Sequence, residues 1–155
     1  MSPFRVERRS LDDPDVRRMI ARLDAELLAE STPEVVNFFA VDHDEFAPGH
    51  GAFLVALVDD TAVACGAYRR IDESTAEIKR MWADPERRGI GLGAGILQAL
   101  VDGATADGYR ELRLETGEYL TAAVNLYRRF GFVPCDAWGD YVGVDSSYCM
   151  SRPLP

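Results

Sequence analysis

Apolar residues recur along the chain with two periods, and the switches between them mark out its elements. Residues 4–10 (FRVERRS) alternate and predict a strand. Asp13 followed by Pro14 predicts a helix start, a capping carboxylate and then a proline where no N–H is needed. Val16, Ile20, Leu23 and Leu27 carry that helix on at helical spacing, and Thr32 with Pro33 opens a second, short one through Phe38 and Phe39. Residues 40–51 are polar and turn-rich and read as a loop. Three strand patterns follow at 52–59, 61–71 and 75–83, separated only by Asp59-Asp60 and by residues 72–74, which predicts an antiparallel meander. Leu92, Ile96, Leu100 and Ala104 then form one helical stripe, widened by Leu97 and Val101 and closed by Gly108. The run 111–116 (ELRLET) alternates as a strand. A helix over 121–129 buries Ala123, Leu126, Tyr127 and Phe130 and stops at Gly131, and two last strands are expected at 132–135 and 144–152. The order is β-α-α-β-β-β-α-β-α-β-β, a mixed α/β sheet in a single domain over residues 1–155.

Composition narrows the class without naming it. A chain of 155 residues with 47% hydrophobic and 28% charged positions is ordinary globular material, large enough for a real core. The longest apolar run, 52–58, is far too short to cross a bilayer, and the first residues show no signal-peptide pattern, so no membrane partner is expected. Cys65, Cys135 and Cys149 are odd in number and far apart. With only His43 and His50 beside them, neither a disulfide framework nor a metal site is implied, and a reduced, cytoplasmic setting fits. The net charge of −9 argues against nucleic acid. Locally the sign reverses: Lys79, Arg80, Arg87 and Arg88 outweigh Asp84 and Glu86 over residues 79–88.

That basic stretch runs into 89-GIGLGAG-95. Glycine inside a helix costs about 1 kcal/mol relative to alanine, so four glycines at a helix start call for a reason. Uncapped N–H groups at a helix N-terminus attract anions, and glycine lets a phosphate approach without a Cβ in the way. No GxxxxGK[ST] is present, which excludes a nucleoside triphosphate P-loop. Gly89, Gly91 and Ala94 formally satisfy GxGxx(G/A), with Glu111 about 20 residues on as a dinucleotide fingerprint would have it. However, residues 83–88 separate the glycines from the preceding strand, and too little chain remains for a doubly wound sheet.

The segment from Arg88 to Gly93 (RGIGLG) resembles the (Q/R)xxGx(G/A) pyrophosphate loop of the GNAT superfamily of acyl-CoA-dependent N-acyltransferases. Residues 123–132 (AVNLYRRFGF) are similar to its AxxLYxxxGF motif, and the element order agrees from the first strand to the last. The resemblance implies a single-domain GNAT fold, a mixed, mostly antiparallel sheet of about seven strands flanked by about four helices. It implies an N-acetyltransferase using acetyl-CoA as co-substrate and no metal. The pyrophosphate of coenzyme A would lie on the amides of Arg88, Gly89, Ile90, Gly91, Leu92, Gly93 and Ala94. The backbone of Met81, Trp82 and Ala83 would hold the pantetheine arm, one N–H polarising the thioester carbonyl.

Two side chains are assigned chemistry by the same resemblance. Glu77, whose AEI context matches the base-bearing strand of the histone-acetylating branch, is the candidate base. Tyr127 matches the tyrosine that the family often uses to protonate the leaving thiolate. Under strict alternation Glu77, Lys79, Met81 and Ala83 would share one face, unless a bulge intervenes. One departure stands out: many members carry an asparagine where this chain has Leu120, and Asn125 is read as solvent-facing. The acceptor is expected to be a small amine or peptide, cationic if Asp42, Asp44 and Glu45 border its entrance. No catalytic part is given to His43 or His50, and residues 138–143 would close one side of the pocket. The resemblance also admits a homodimer, and a second function, a non-catalytic acyl-CoA sensor.

Overall fold

The computed structural model describes residues 3–30, 46, 48–87 and 89–155, the helix over 26–30 without its side chains. Seven strands form one sheet in the order β1-β2-β3-β4-β5-β7-β6. They are β1 (Arg5–Arg8), β2 (Ala52–Val58), β3 (Thr61–Arg70), β4 (Thr75–Ala83), β5 (Glu111–Thr116), β6 (Val133–Pro134) and β7 (Tyr148–Pro153). Among the described residues three α-helices flank the sheet: α1 (Pro14–Glu30), α2 (Leu92–Ala106) and α3 (Thr121–Arg129). The short helix expected near 32–39 lies outside the described residues, as do Asp42, His43, Asp44, Glu45 and Arg88.

Each element follows from its local chemistry. Asp13 caps α1, its Oδ1 accepting the N–H groups of Asp15 (2.9 Å) and Val16 (3.4 Å). Val16, Met19 and Leu23 of α1 are buried with Phe53, Val55, Cys65, Ala67 and Trp82 on one face of the sheet. On the other face, Ile96, Leu97 and Leu100 of α2 and Tyr127 of α3 are buried with Val63, Tyr68, Ile78, Leu112 and Leu114. Alternation in β4 and β5 divides their side chains between these two cores.

Two irregularities shape the centre. All neighbouring strands pair antiparallel except β4 and β5, which run parallel only from Thr75↔Glu111 to Ile78↔Leu114. Beyond Ile78 and Leu114 the two strands continue without pairing to each other. In β4 the register against β3 slips by one residue, Cys65↔Trp82 giving way to Ala67↔Lys79, and Arg80 sits at φ 59. This bulge corrects the strict alternation. Lys79 and Arg80 both fall on the α1 side, where Arg80 pairs with Asp24, and Met81 and Ala83 pass to the α2 side, away from Glu77. The last strand begins at Tyr148 rather than 144, because residues before it close a turn from the Ser147 N–H to the Val144 carbonyl (3.1 Å).

Candidate active site

The glycine stretch separates into two kinds of glycine. Gly89 (φ 96) and Gly91 (φ 82) hold left-handed conformations, and a Cβ at either would meet nothing within 4 Å. Backbone shape selects glycine there, on a side open to a ligand. Gly91 is the N-cap of α2 and offers no side-chain cap. The Gly95 N–H bonds back to the Gly91 carbonyl at 2.9 Å, which leaves the preceding first-turn amides of Leu92, Gly93 and Ala94 without helical partners. Such amides and the helix dipole attract anions, so the residues fit the phosphate group expected of them. Gly95 serves packing instead: a Cβ would lie 2.4 Å from the Phe4 ring, and one at Gly93 would lie 3.3 Å from Leu126 of α3. Ile90 is exposed and Leu92 buried.

The unpaired stretch of β4 precedes this loop, with a 3-10 turn (Pro85–Arg87) between them. Met81 and Ala83 pack against the α2-side core, whereas Trp82 is buried on the α1 side beneath the Arg22 guanidinium, 4.7 Å from its ring centre.

On the α1-side face at the β4–β5 split stands a cluster of charge. Glu77 is only 1% exposed. Its Oε1 accepts Nε (3.1 Å) and Nη2 (3.0 Å) of Arg69, and its Oε2 accepts the Tyr141 hydroxyl. Tyr141 is carried on a 3-10 turn (Gly139–Tyr141) and packs edge-on against Trp138, whose ring lies under Arg113. Glu115 of β5 is half-buried on the same face. Burial, then the charge of Glu77, pushes its carboxyl up to about 7, against a smaller pull from the Ser147 hydroxyl and Lys79. Tyr127 projects from α3 on the opposite side, packed edge-on against Phe132 at 5.9 Å. Burial and then the Glu115 charge push its phenol up to about 12, so at neutral pH it holds a proton to give. Glu77 and Tyr127 therefore belong to opposite faces of the sheet, and Glu115, where the strands part, is an electrostatic neighbour of both.

Sequence reading named Glu77 and Tyr127, and Tyr141 only within residues 138–143, but passed over Glu115 and Arg69. A signal existed for the first: Glu111, Arg113 and Glu115 alternate on one side of a strand whose other side is Leu112 and Leu114. A charged face on an interior strand must be satisfied within the molecule. Leu120 takes the N-cap position of α3, and Asn125 is exposed, as expected. Among the described residues no group of three or more His, Cys, Asp or Glu is placed to hold a metal ion, and no helix is long and apolar enough to cross a membrane.

Residues 16–132 match the model of the Acetyltransferase (GNAT) family. The chain is 39% identical over 103 residues to an IAA acetyltransferase of Azospirillum brasilense, covering 66% of this chain and 67% of that one. A solved structure from Klebsiella pneumoniae, assigned as an acyl-CoA N-acyltransferase, superposes with a TM-score of 0.83 at 30% identity over 97% of both chains. The fold is shared also by a GNAT family acetyltransferase from Elizabethkingia anophelis with acetyl-CoA bound, at TM-score 0.71 and 18% identity, covering 99% of this chain and 100% of that one.

Proposed function

Since the chain belongs to the GNAT acetyltransferase family, we propose that it moves an acetyl group from acetyl-CoA to a primary amine of a small molecule or peptide, by direct attack through a tetrahedral intermediate. The observation that carries this reading is the run from the unpaired half of β4 into the uncapped start of α2. One rim of backbone is left without a strand partner, and uncapped helix amides follow it along the chain.

In this reading the amides from Gly89 to Ala94, with Arg88, hold the pyrophosphate, and the backbone of Met81, Trp82 and Ala83 lines the pantetheine arm. A backbone N–H aimed at the thioester oxygen would stabilise the oxyanion by roughly 3 kcal/mol, the scale of one such donor in comparable acyl transfers. An alkylammonium with a pKa of about 10.4 must lose a proton before it can attack, and the carboxylate face containing Glu77 is where that proton is drawn. Tyr127, buried and protonated at neutral pH, gives a proton to the departing sulfur. The buried and half-buried thiols of Cys65, Cys149 and Cys135 are all unpaired, which suits the cytoplasm.

The test is thiol release from acetyl-CoA across polyamines, aminoglycosides, amino acids and short peptides, with Tyr127→Phe in parallel. Turnover on one class, slowed in the variant, is expected. Tight coenzyme A binding with no turnover on any amine would favour an acyl-CoA sensor. Failure to bind coenzyme A would sink the reading of the glycine loop.

A further inference from the structure

We propose that Glu115 is the side chain that takes the proton from the acceptor nitrogen, while Glu77, locked beside it, is a positioning residue. This rests on the acetyltransferase reading above.

The two carboxylates differ in what already holds them. Glu77 accepts two bonds from Arg69 and one from Tyr141, which uses most of the acceptor positions a carboxylate has, and water scarcely reaches it. To take a substrate proton it would have to give up an ion pair. Glu115 is one step past Leu114, the last β5 residue paired with β4, so it stands where the gap opens, on the same face as Glu77. Among the described residues, the groups around it are Glu77 and Lys79 on β4, Cys149 on β7 with Ser147 just before it, Tyr141 on the 3-10 turn and Tyr127 on α3. On its own strand, Arg113 is spent on Glu111 at 3.0 Å. Two carboxylates in unlike environments divide labour. The ion-paired one is held in place by Arg69 and Tyr141, and the half-buried one beside it, at the mouth of the β4–β5 gap, titrates near neutrality, where a base is most effective.

The protons balance as follows. The acceptor ammonium gives one proton to the Glu115 carboxylate, directly or through water, and Glu115 later releases it to solvent. The free amine nitrogen bonds to the thioester carbon. As the carbon–sulfur bond breaks, Tyr127 gives its hydroxyl proton to sulfur and is restored by the second proton leaving nitrogen. The products are an amide, free thiol and one proton in solution.

The experiment is the pH profile of kcat/KM for the full chain, acetyl-CoA and the best amine of the panel. The wild type should lose activity on the acid side with a midpoint near 7. Glu115→Gln should lower the plateau by about 10²–10⁴-fold, the range for removing a general base, and abolish that acid limb. Glu115→Asp should keep the limb at a reduced rate, which guards against a merely structural loss. Glu77→Gln should keep the limb and move it to lower pH, because a like charge beside Glu115 is gone. A Glu115→Gln enzyme with full rate and an unchanged limb would overturn the proposal alone, as would a limb that vanishes only in Glu77→Gln. No turnover by the wild type on any amine would overturn the acetyltransferase reading first.

Discussion

Replacing Gly66 with alanine would press on the point where the sheet, the β4 bulge and the helix behind the glycine loop meet. Gly66 lies opposite the extra residue of β4. A Cβ there would come within 2.6 Å of Ile96 Cγ2, 2.8 Å of Met81 Sδ and 3.1 Å of Leu100 Cδ1. Ile96 and Leu100 are fully buried on α2, and a β-branched isoleucine has no second rotamer to escape into. Overpacking of this kind costs about 1–3 kcal/mol. Removing a glycine from a strand interior returns about 0.5–1 kcal/mol, so the net loss is on the order of 1–2 kcal/mol. For a chain of this size that corresponds to a fall in Tm of roughly 2–8 °C. The relief available is a shift of α2 away from β3, which carries the uncapped helix start with it. Coenzyme A affinity should therefore fall together with stability. Thermal unfolding by circular dichroism and calorimetric titration with coenzyme A would measure both. A Tm that holds or rises, with unaltered affinity, would refute the reasoning.

Three further outcomes are expected. Gly91→Ala puts a side chain on a left-handed residue with free space around it, so it should cost about 1–2 kcal/mol in strain and weaken coenzyme A binding more than it lowers Tm. Arg69→Ala strips the cation from a carboxylate that is 1% exposed. Because water partly reaches the arginine side, the cost should sit near the low end of the range for a broken buried pair, about 3 kcal/mol, read as a drop in urea midpoint. Glu115, raised from 4.5 to about 7, binds its proton more tightly folded than unfolded. Its contribution is complete below pH 4.5 and is lost as pH rises through about 7, on the order of 1–3 kcal/mol once its partial exposure is allowed for. Wild-type stability minus that of Glu115→Gln, measured by urea unfolding from pH 4 to 8, should show this decline. A flat difference would contradict it.

What could be read from the chain and what could not divide along physical lines. The spans of β5 and α3 are legible because strict alternation in ELRLET and a closing Gly131 are local signals. The glycine stretch is partly legible for the same reason, since Gly89 and Gly91 answer a demand of their own backbone. Gly95 is misread from sequence because its reason, the Phe4 ring, arrives from the other end of the chain. The bulge at Arg80 leaves no mark in TAEIKRMWA. It falls where Gly66 closely approaches Met81 and Ile96, and it decides which side chains accompany Glu77. Glu115 looks like one more charge on an alternating strand until the register shows that β4 stops pairing one residue earlier.

The parting of β4 from β5 also bears on the chain's behaviour toward its own kind. Each strand keeps one neighbour, β3 or β7, and shows a bare rim to the other. A bare rim is ordinarily an invitation to self-association, because any extended chain can dock on it. Here the two rims face each other across a wedge that closes at Ile78 and Leu114. A foreign strand would need flanking room on both sides of its backbone, whereas a slender, flexible arm needs little more than its own width. The unfinished pairing is thus confined between two interior strands and kept off the outer edges of the sheet, which are β1 and β6.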